Sequence, residues 1–162
     1  MKRLIIVRHG KSDRSDVSIA DIDRPLKKKG IDDAYIIASR LKEQEIIPDL
    51  IISSHAVRAI STAIIFARVL KFDFSKFHIN ENIYEKDEDD IIEEICLTDN
   101  GIKVLMIVGH NPSFTNLANT FISKKIDNLP TSGVVIIDFD TDRWEEIKKF
   151  NRIAEKFEFP KN

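Results

Sequence analysis

Three short apolar runs constrain this chain more than anything else in it: Leu4-Ile5-Ile6-Val7, Asp49-Leu50-Ile51-Ile52 and Val104-Leu105-Met106-Ile107-Val108. Each has the length of a strand and shows almost no alternation between polar and apolar residues. A strand can be apolar on both sides only if both faces are covered, as in a parallel sheet between layers of helix. The intervening segments carry helical spacing. Residues 31–43 set Ala34, Ile37, Ala38 and Leu41 on one face, and residues 56–70 do so with Val57, Ile60, Ile64, Ala67 and Val69. Residues 88–97 set Ile91, Ile92 and Ile95 against an acidic face. Pro112, with Asn111 as cap, opens a helix through Phe121. Residues 134–139 read as a further strand, and residues 144–150 as another after a turn at 140–142. The expected fold is an α/β three-layer sandwich with a mostly parallel central sheet, in one domain over residues 1–162.

The 162 residues, 43% hydrophobic and 32% charged, suffice for a core without disulfides or metal. One cysteine makes no internal disulfide and supplies no Cys-rich zinc cluster. No apolar run approaches the roughly 20 residues of a membrane span. Met1-Lys2-Arg3 leads directly into a strand rather than into the apolar core of a signal peptide. A cytoplasmic protein without membrane association is expected. The net charge of -2 gives no reason to expect a nucleic-acid partner, but it averages two unequal regions. Residues 1–30 hold nine bases against four acids, a local charge of +5, whereas residues 81–94 hold eight acids against Lys86, a local charge of -7.

Chemistry-bearing residues gather at predicted strand ends. Arg8-His9-Gly10 follows the first strand and opens a long polar stretch to residue 26. Ser53-Ser54-His55-Ala56-Val57-Arg58 follows a second strand and runs into a helix, and His110-Asn111 follows a later one. In α/β proteins ligands bind outside the carboxyl ends of strands. Arginine offers a planar fork matched to phosphate oxygens. Helix N-termini add N–H groups for an anion. A neutral imidazole can attack phosphorus directly. Each piece alone is ordinary, and the weight lies in their ordered co-occurrence.

That order resembles the histidine phosphatase superfamily with its phosphoglycerate mutase-like fold, and more closely its small branch of SixA-type phosphohistidine phosphatases. The resemblance rests on residues 4–12 (Leu-Ile-Ile-Val-Arg-His-Gly-Lys-Ser), Asp23-Arg24-Pro25-Leu26 with Gly30, and the Ser-Ser-x-x-x-Arg-Ala-x-x-Thr-Ala pattern at 53–63. Residues 108–112 (Val-Gly-His-Asn-Pro) and 129–133 (Leu-Pro-Thr-Ser-Gly) complete it. It implies His9 as a nucleophile that takes the phosphoryl group, in a phosphate pocket of Arg8, Arg58 and His110. Asn111, Lys11 and Arg24 are expected to assist substrate binding. No metal or other cofactor is expected. Lys27 stands where a threonine is common, and lysine cannot accept a capping hydrogen bond.

A general acid is less clearly marked. Glu81 stands best in register with the acid of larger family members, and Glu85 is the rival. A phosphoramidate protonated on nitrogen is already a good leaving group, so a weakly marked acid suits phosphohistidine better than an alkyl ester. About thirty residues separate the Arg58 helix from Val104, too few for the large insertions of the mutases. This minimal version suits a phosphorylated side chain on a protein surface. The expected function is therefore a metal-independent phosphohistidine phosphatase acting on a signalling or phosphotransfer protein, as a monomer. The alternatives are a small-molecule phosphomonoesterase of the same superfamily and a non-catalytic phosphohistidine-binding module.

Overall fold

The computed structural model describes residues 1–149 and 152–161. Six strands form one sheet: β1 (Lys2–Arg8), β2 (Leu50–Ser53), β3 (Phe77–Ile79), β4 (Val104–Gly109), β5 (Val134–Phe139) and β6 (Arg152–Glu158). Four helices accompany them: α1 (Lys28–Glu43), α2 (Val57–Val69), α3 (Glu88–Cys96) and α4 (Ser113–Phe121). The strand order is β3-β2-β4-β1-β5-β6. The first four are mutually parallel, and β5 runs antiparallel to both β1 and β6.

The apolar runs become strands buried on both faces. Ile5 and Val7 of β1 and Met106 and Val108 of β4 face α1 and α2, where they meet Ala34, Ile37, Leu41, Ala63 and Phe66. The alternate residues Leu4, Ile6, Leu105 and Ile107 face α3 and α4 and pack with Ile91, Ile95, Phe114 and Leu117. This two-residue period accounts for continuous apolarity without any helix. Crossover handedness assigns the helices to layers. The chain moves in one direction across the sheet from β1 to β2 to β3, so right-handed connections put α1 and α2 on one face. It reverses from β3 back to β4, and the same handedness sends α3 to the other face.

Two expectations need correction. Residues 144–150 are not a strand over their described part. A 3-10 turn spans Trp144–Glu146, and Trp144 is fully buried, its indole N–H donating to the Ile102 carbonyl at 2.8 Å. Phe150 lies outside the described residues. The final strand comes later, as β6, with Arg152, Glu155, Lys156 and Glu158 masking its strand character. On α2, the buried positions are Ala59, Ala63, Ile65, Phe66 and Ala67 together with Arg58 and Thr62, while Val57 is exposed and Ile60 and Ile64 are only half-buried. Apolar residues extend well beyond one face of the helix, so of the residues expected on the inner face only Ala67 is fully buried. Among the described residues no helix is long and apolar enough to cross a membrane.

Candidate active site

The register of the sheet brings the two histidine segments side by side. Arg8 pairs with Gly109 at the ends of parallel β1 and β4, so His9 and His110 are the next residue of each strand. Their rings lie with centroids 5.1 Å apart. β2 ends alongside, where Ser54 N–H donates to the Val108 carbonyl at 3.0 Å and the chain turns into α2. Glycine is required on both sides of this junction. A Cβ on Gly109 would fall 2.3 Å from the Phe114 ring, and one on Gly10 would fall 2.9 Å from the Gly30 carbonyl oxygen.

A cavity of about 510 Å³ opens over these strand ends. Arg8, His9, Arg58 and His110 line it together with Arg14, Arg24, Asp21, Tyr84 and Asn111. His9 Nδ1 lies 2.7 Å from the Gly10 carbonyl oxygen. A carbonyl oxygen only accepts, so Nδ1 carries the ring proton and Nε2 keeps a free lone pair. Burial pushes the His9 pKa down to about 3, with His110, Arg58 and Arg8 adding to the effect. His110 is lowered to about 4, again chiefly by burial and then by Arg58. Both imidazoles are therefore neutral at physiological pH.

His110 Nε2 lies 2.7 Å from the Ser54 hydroxyl, which accepts from the Ala56 N–H at 3.2 Å. The other ring nitrogen of His110 is Nδ1. That nitrogen is buried and has no protein partner among the described residues, as is also true of Nε of both Arg8 and Arg58. Arg8 donates through Nη1 to the Leu129 carbonyl at 2.9 Å, and burial lowers its pKa, with Arg14 nearby contributing. Arg58 is almost fully buried at the start of α2. Its Nη1 donates to the Asp21 carbonyl oxygen at 2.7 Å and its Nη2 to the Asp21 carboxylate at 3.0 Å. Buried polar groups left without protein partners are costly, and at this cavity the guanidiniums of Arg8 and Arg58 supply positive charge of the kind an oxyanion needs.

The other expected site residues have different fates. Asn111 lines the cavity, but its amide donates to Asn128 and to the Leu129 carbonyl while its oxygen accepts from Thr115 N–H and hydroxyl, so it braces the start of α4. α4 itself begins one residue later than expected, at Ser113. Arg24 also lines the cavity and spends its guanidinium on Asp21 and Ser12. Lys11 is exposed and is not part of the lining. Glu81 is likewise exposed and outside the lining, because the 3-10 turn Glu81–Ile83 buries Ile83 instead. Glu85, in the left-handed region at φ 54°, does reach the cavity. Lys27 precedes α1 with no side-chain cap.

Several site residues were not anticipated. Asp21 joins Arg58, Arg24 and the Tyr84 hydroxyl. Tyr84 stands edge-on to His110 and to His55. Ser132 N–H donates to the carbonyls of both Arg8 and His9 at 3.1 Å, which fixes the backbone of the two residues. Among the described residues, no group of three or more His, Cys, Asp or Glu side chains is arranged to hold a metal ion.

Residues 4–91 match the family model of the histidine phosphatase superfamily (branch 1). The chain belongs to that superfamily. An uncharacterised chloroplastic protein of Arabidopsis thaliana is 30% identical over 155 residues, covering 90% of this chain and 70% of its own. The superfamily fold is shared with the SixA protein of Agrobacterium tumefaciens at TM-score 0.80 and 24% identity, over 96% of this chain and 97% of that one. It is shared with the protein histidine phosphatase SixA complexed with tungstate at TM-score 0.77 and 21% identity, over 97% and 94% respectively.

Proposed function

We propose that this superfamily member is a phosphohistidine phosphatase, which removes phosphate from a phosphorylated protein side chain through a covalent intermediate on His9. The observation that carries this reading is the His9–Gly10 hydrogen bond, which leaves a neutral, unprotonated Nε2 facing a cavity of arginines. His9 Nε2 attacks phosphorus as the P–N bond of the substrate breaks, and the leaving imidazole departs with the proton already on its nitrogen. Water then attacks the phosphoryl-His9, releasing inorganic phosphate and restoring the free imidazole. Arg8, Arg58 and His110 offset charge on the equatorial oxygens, the main demand of phosphoryl transfer.

The superfamily membership supports the phosphatase chemistry, and the tungstate held by a protein of the same fold is a tetrahedral oxyanion like phosphate. The protein substrate is supported by an open cavity; of the two candidate acids Glu81 stays outside it and Glu85 reaches it. In the lining segment 85–88, Glu85, Asp87 and Glu88 outweigh Lys86, which also disfavours small polyanions. The test is turnover of a phosphohistidine-bearing phosphotransfer protein beside a panel of sugar phosphates and phosphoglycerate. Release from the phosphoprotein with poor turnover of the panel is expected. Efficient turnover of the panel with an untouched phosphoprotein would move the reading to a small-molecule phosphomonoesterase.

A further inference from the structure

A carboxylate is the wrong charge for the lining of an oxyanion cavity, yet Asp21 is part of it. Residues 9–27 contain no α-helix, and their internal pairing is the single bridge between Ser12 and Leu26. Asp21 lies in the 3-10 turn Asp21–Asp23 of this stretch and is itself exposed. Its carbonyl takes Arg58 Nη1 and its Oδ2 takes Arg58 Nη2, so one residue engages both terminal nitrogens of the guanidinium. The same Oδ2 accepts from the Tyr84 hydroxyl at 2.6 Å, and Oδ1 accepts from Arg24 Nε at 3.0 Å and Nη2 at 2.8 Å. Three separate stretches of chain thus meet on one carboxylate at the mouth of the cavity.

We propose that Asp21 is the positioning residue of this site, holding the Arg58 guanidinium by its two terminal nitrogens so that its remaining N–H groups meet a phosphoryl group in one orientation. Those remaining donors are one hydrogen on each Nη, since Nε is itself fully buried. A guanidinium at the end of a flexible side chain would otherwise spread over rotamers, and misplacement of about 1 Å can cost a factor of about 100 in rate. Tyr84 completes the clamp by tying Asp21 to the segment whose ring packs edge-on to His110. The Tyr84 hydrogen bond, with those from Arg24 and Arg58, holds the Asp21 carboxyl well below the usual carboxylate range. The bond to Asp21 in turn pushes Tyr84 up to about 12, so the clamp keeps its protonation state across working pH.

This inference rests on the reading of the cavity as a phosphoryl site, and a double-mutant cycle tests the two separately. Asp21→Ala and Arg58→Ala are made singly and together. Each protein is measured for kcat/KM on a phosphohistidine peptide and, by calorimetry, for affinity toward inorganic phosphate. Asp21→Ala is expected to lower kcat/KM on the order of 100-fold in the wild-type background. In the Arg58→Ala background it is expected to cause no loss, or a gain, because the carboxylate then serves no arginine and only repels the anion. Asp21→Asn, nearly isosteric, changes in the same direction by less and secures the result if the alanine variant folds poorly. Tyr84→Phe is expected to fall between wild type and Asp21→Ala.

Equal losses in both backgrounds, or no loss in either, would overturn the proposal. Turnover absent even in wild type, with phosphate affinity following the cycle, would remove the substrate reading and leave the role of Asp21 standing. Good turnover with an additive cycle would do the reverse.

Discussion

At His9 one hydrogen bond decides which nitrogen reacts. The Gly10 carbonyl takes the Nδ1 proton, and burial keeps the ring neutral down to about pH 3. Replacement of His9 by Ala is expected to abolish turnover while leaving inorganic phosphate bound by Arg8, Arg58 and His110, measurable by calorimetry. Replacement of Arg58 by Ala is expected to lower kcat/KM on the order of 100-fold. The depressed histidines also set a pH dependence of stability. In the unfolded chain each protonates near about pH 6.5, whereas the folded His9 and His110 wait until about 3 and about 4. Below about pH 6.5 the unfolded state therefore binds more protons, so stability falls with falling pH until the folded pKa values are reached. The slope is up to ~1.4 kcal/mol per pH unit for each histidine. Thermal midpoints from pH 7.5 to 4.5 are expected to drop less in His110→Gln than in wild type, and parallel curves would contradict the assignment.

That Arg8, His9, Arg58 and His110 share one cavity was legible because each ends or directly follows a strand or lies in the first turn of a helix, where position in the chain translates into position in space. Asp21 was not, since it is one acid among four in a basic segment and its partners lie 37 and 63 residues away. Glu81 was misplaced because motif register counts residues, while the local 3-10 turn decides which of them point inward.

Among the elements, strands buried on both faces were the most readable, because no other structure explains a short continuous apolar run in a charged chain. The inner face of α2 was less readable, since large apolar residues occur on both sides of it: Ile65 and Phe66 are buried while Val57 is exposed. β6 was hidden by its charges, which an edge strand keeps as protection against pairing with other chains. The junction between β4 and α4 makes a sharp prediction. Gly109→Ala puts a methyl against Phe114 at a distance no real contact tolerates, so the ring and the His110 backbone must shift. A loss of about 1–3 kcal/mol in stability is expected from such overpacking, together with a fall in kcat larger than any change in melting temperature would explain. Denaturant unfolding and steady-state kinetics on the same preparation check both parts.

Over the whole molecule, a net charge of -2 resolves into a cationic floor and an acidic rim around one cavity. Arg8 ends β1 and Arg58 lies in the first turn of α2, whereas Glu85, Asp87 and Glu88, with Lys86 among them, come from the segment that leads into and opens α3. Asp87 also caps that helix by accepting from the Asp90 N–H at 2.9 Å. Glu85 and Glu88 have no ion-pair partner among the described residues, so they are free to discriminate by charge. Reversal of both to Lys is expected to raise kcat/KM for acidic phosphopeptides several-fold at low salt, with the gain fading as salt is added. An unchanged charge preference would mean that the rim does not sample the substrate.

The central claim is the covalent intermediate on His9, and rapid-quench trapping reaches it most directly. Wild-type protein is mixed with a phosphotransfer protein carrying radiolabelled phosphohistidine, quenched in alkali within milliseconds, digested and mapped. Transient label on the peptide containing His9, acid-labile and absent from His9→Ala, is the predicted result. Release of labelled phosphate at the full rate with no labelled His9 peptide at any time, or undiminished release by His9→Ala, would contradict it.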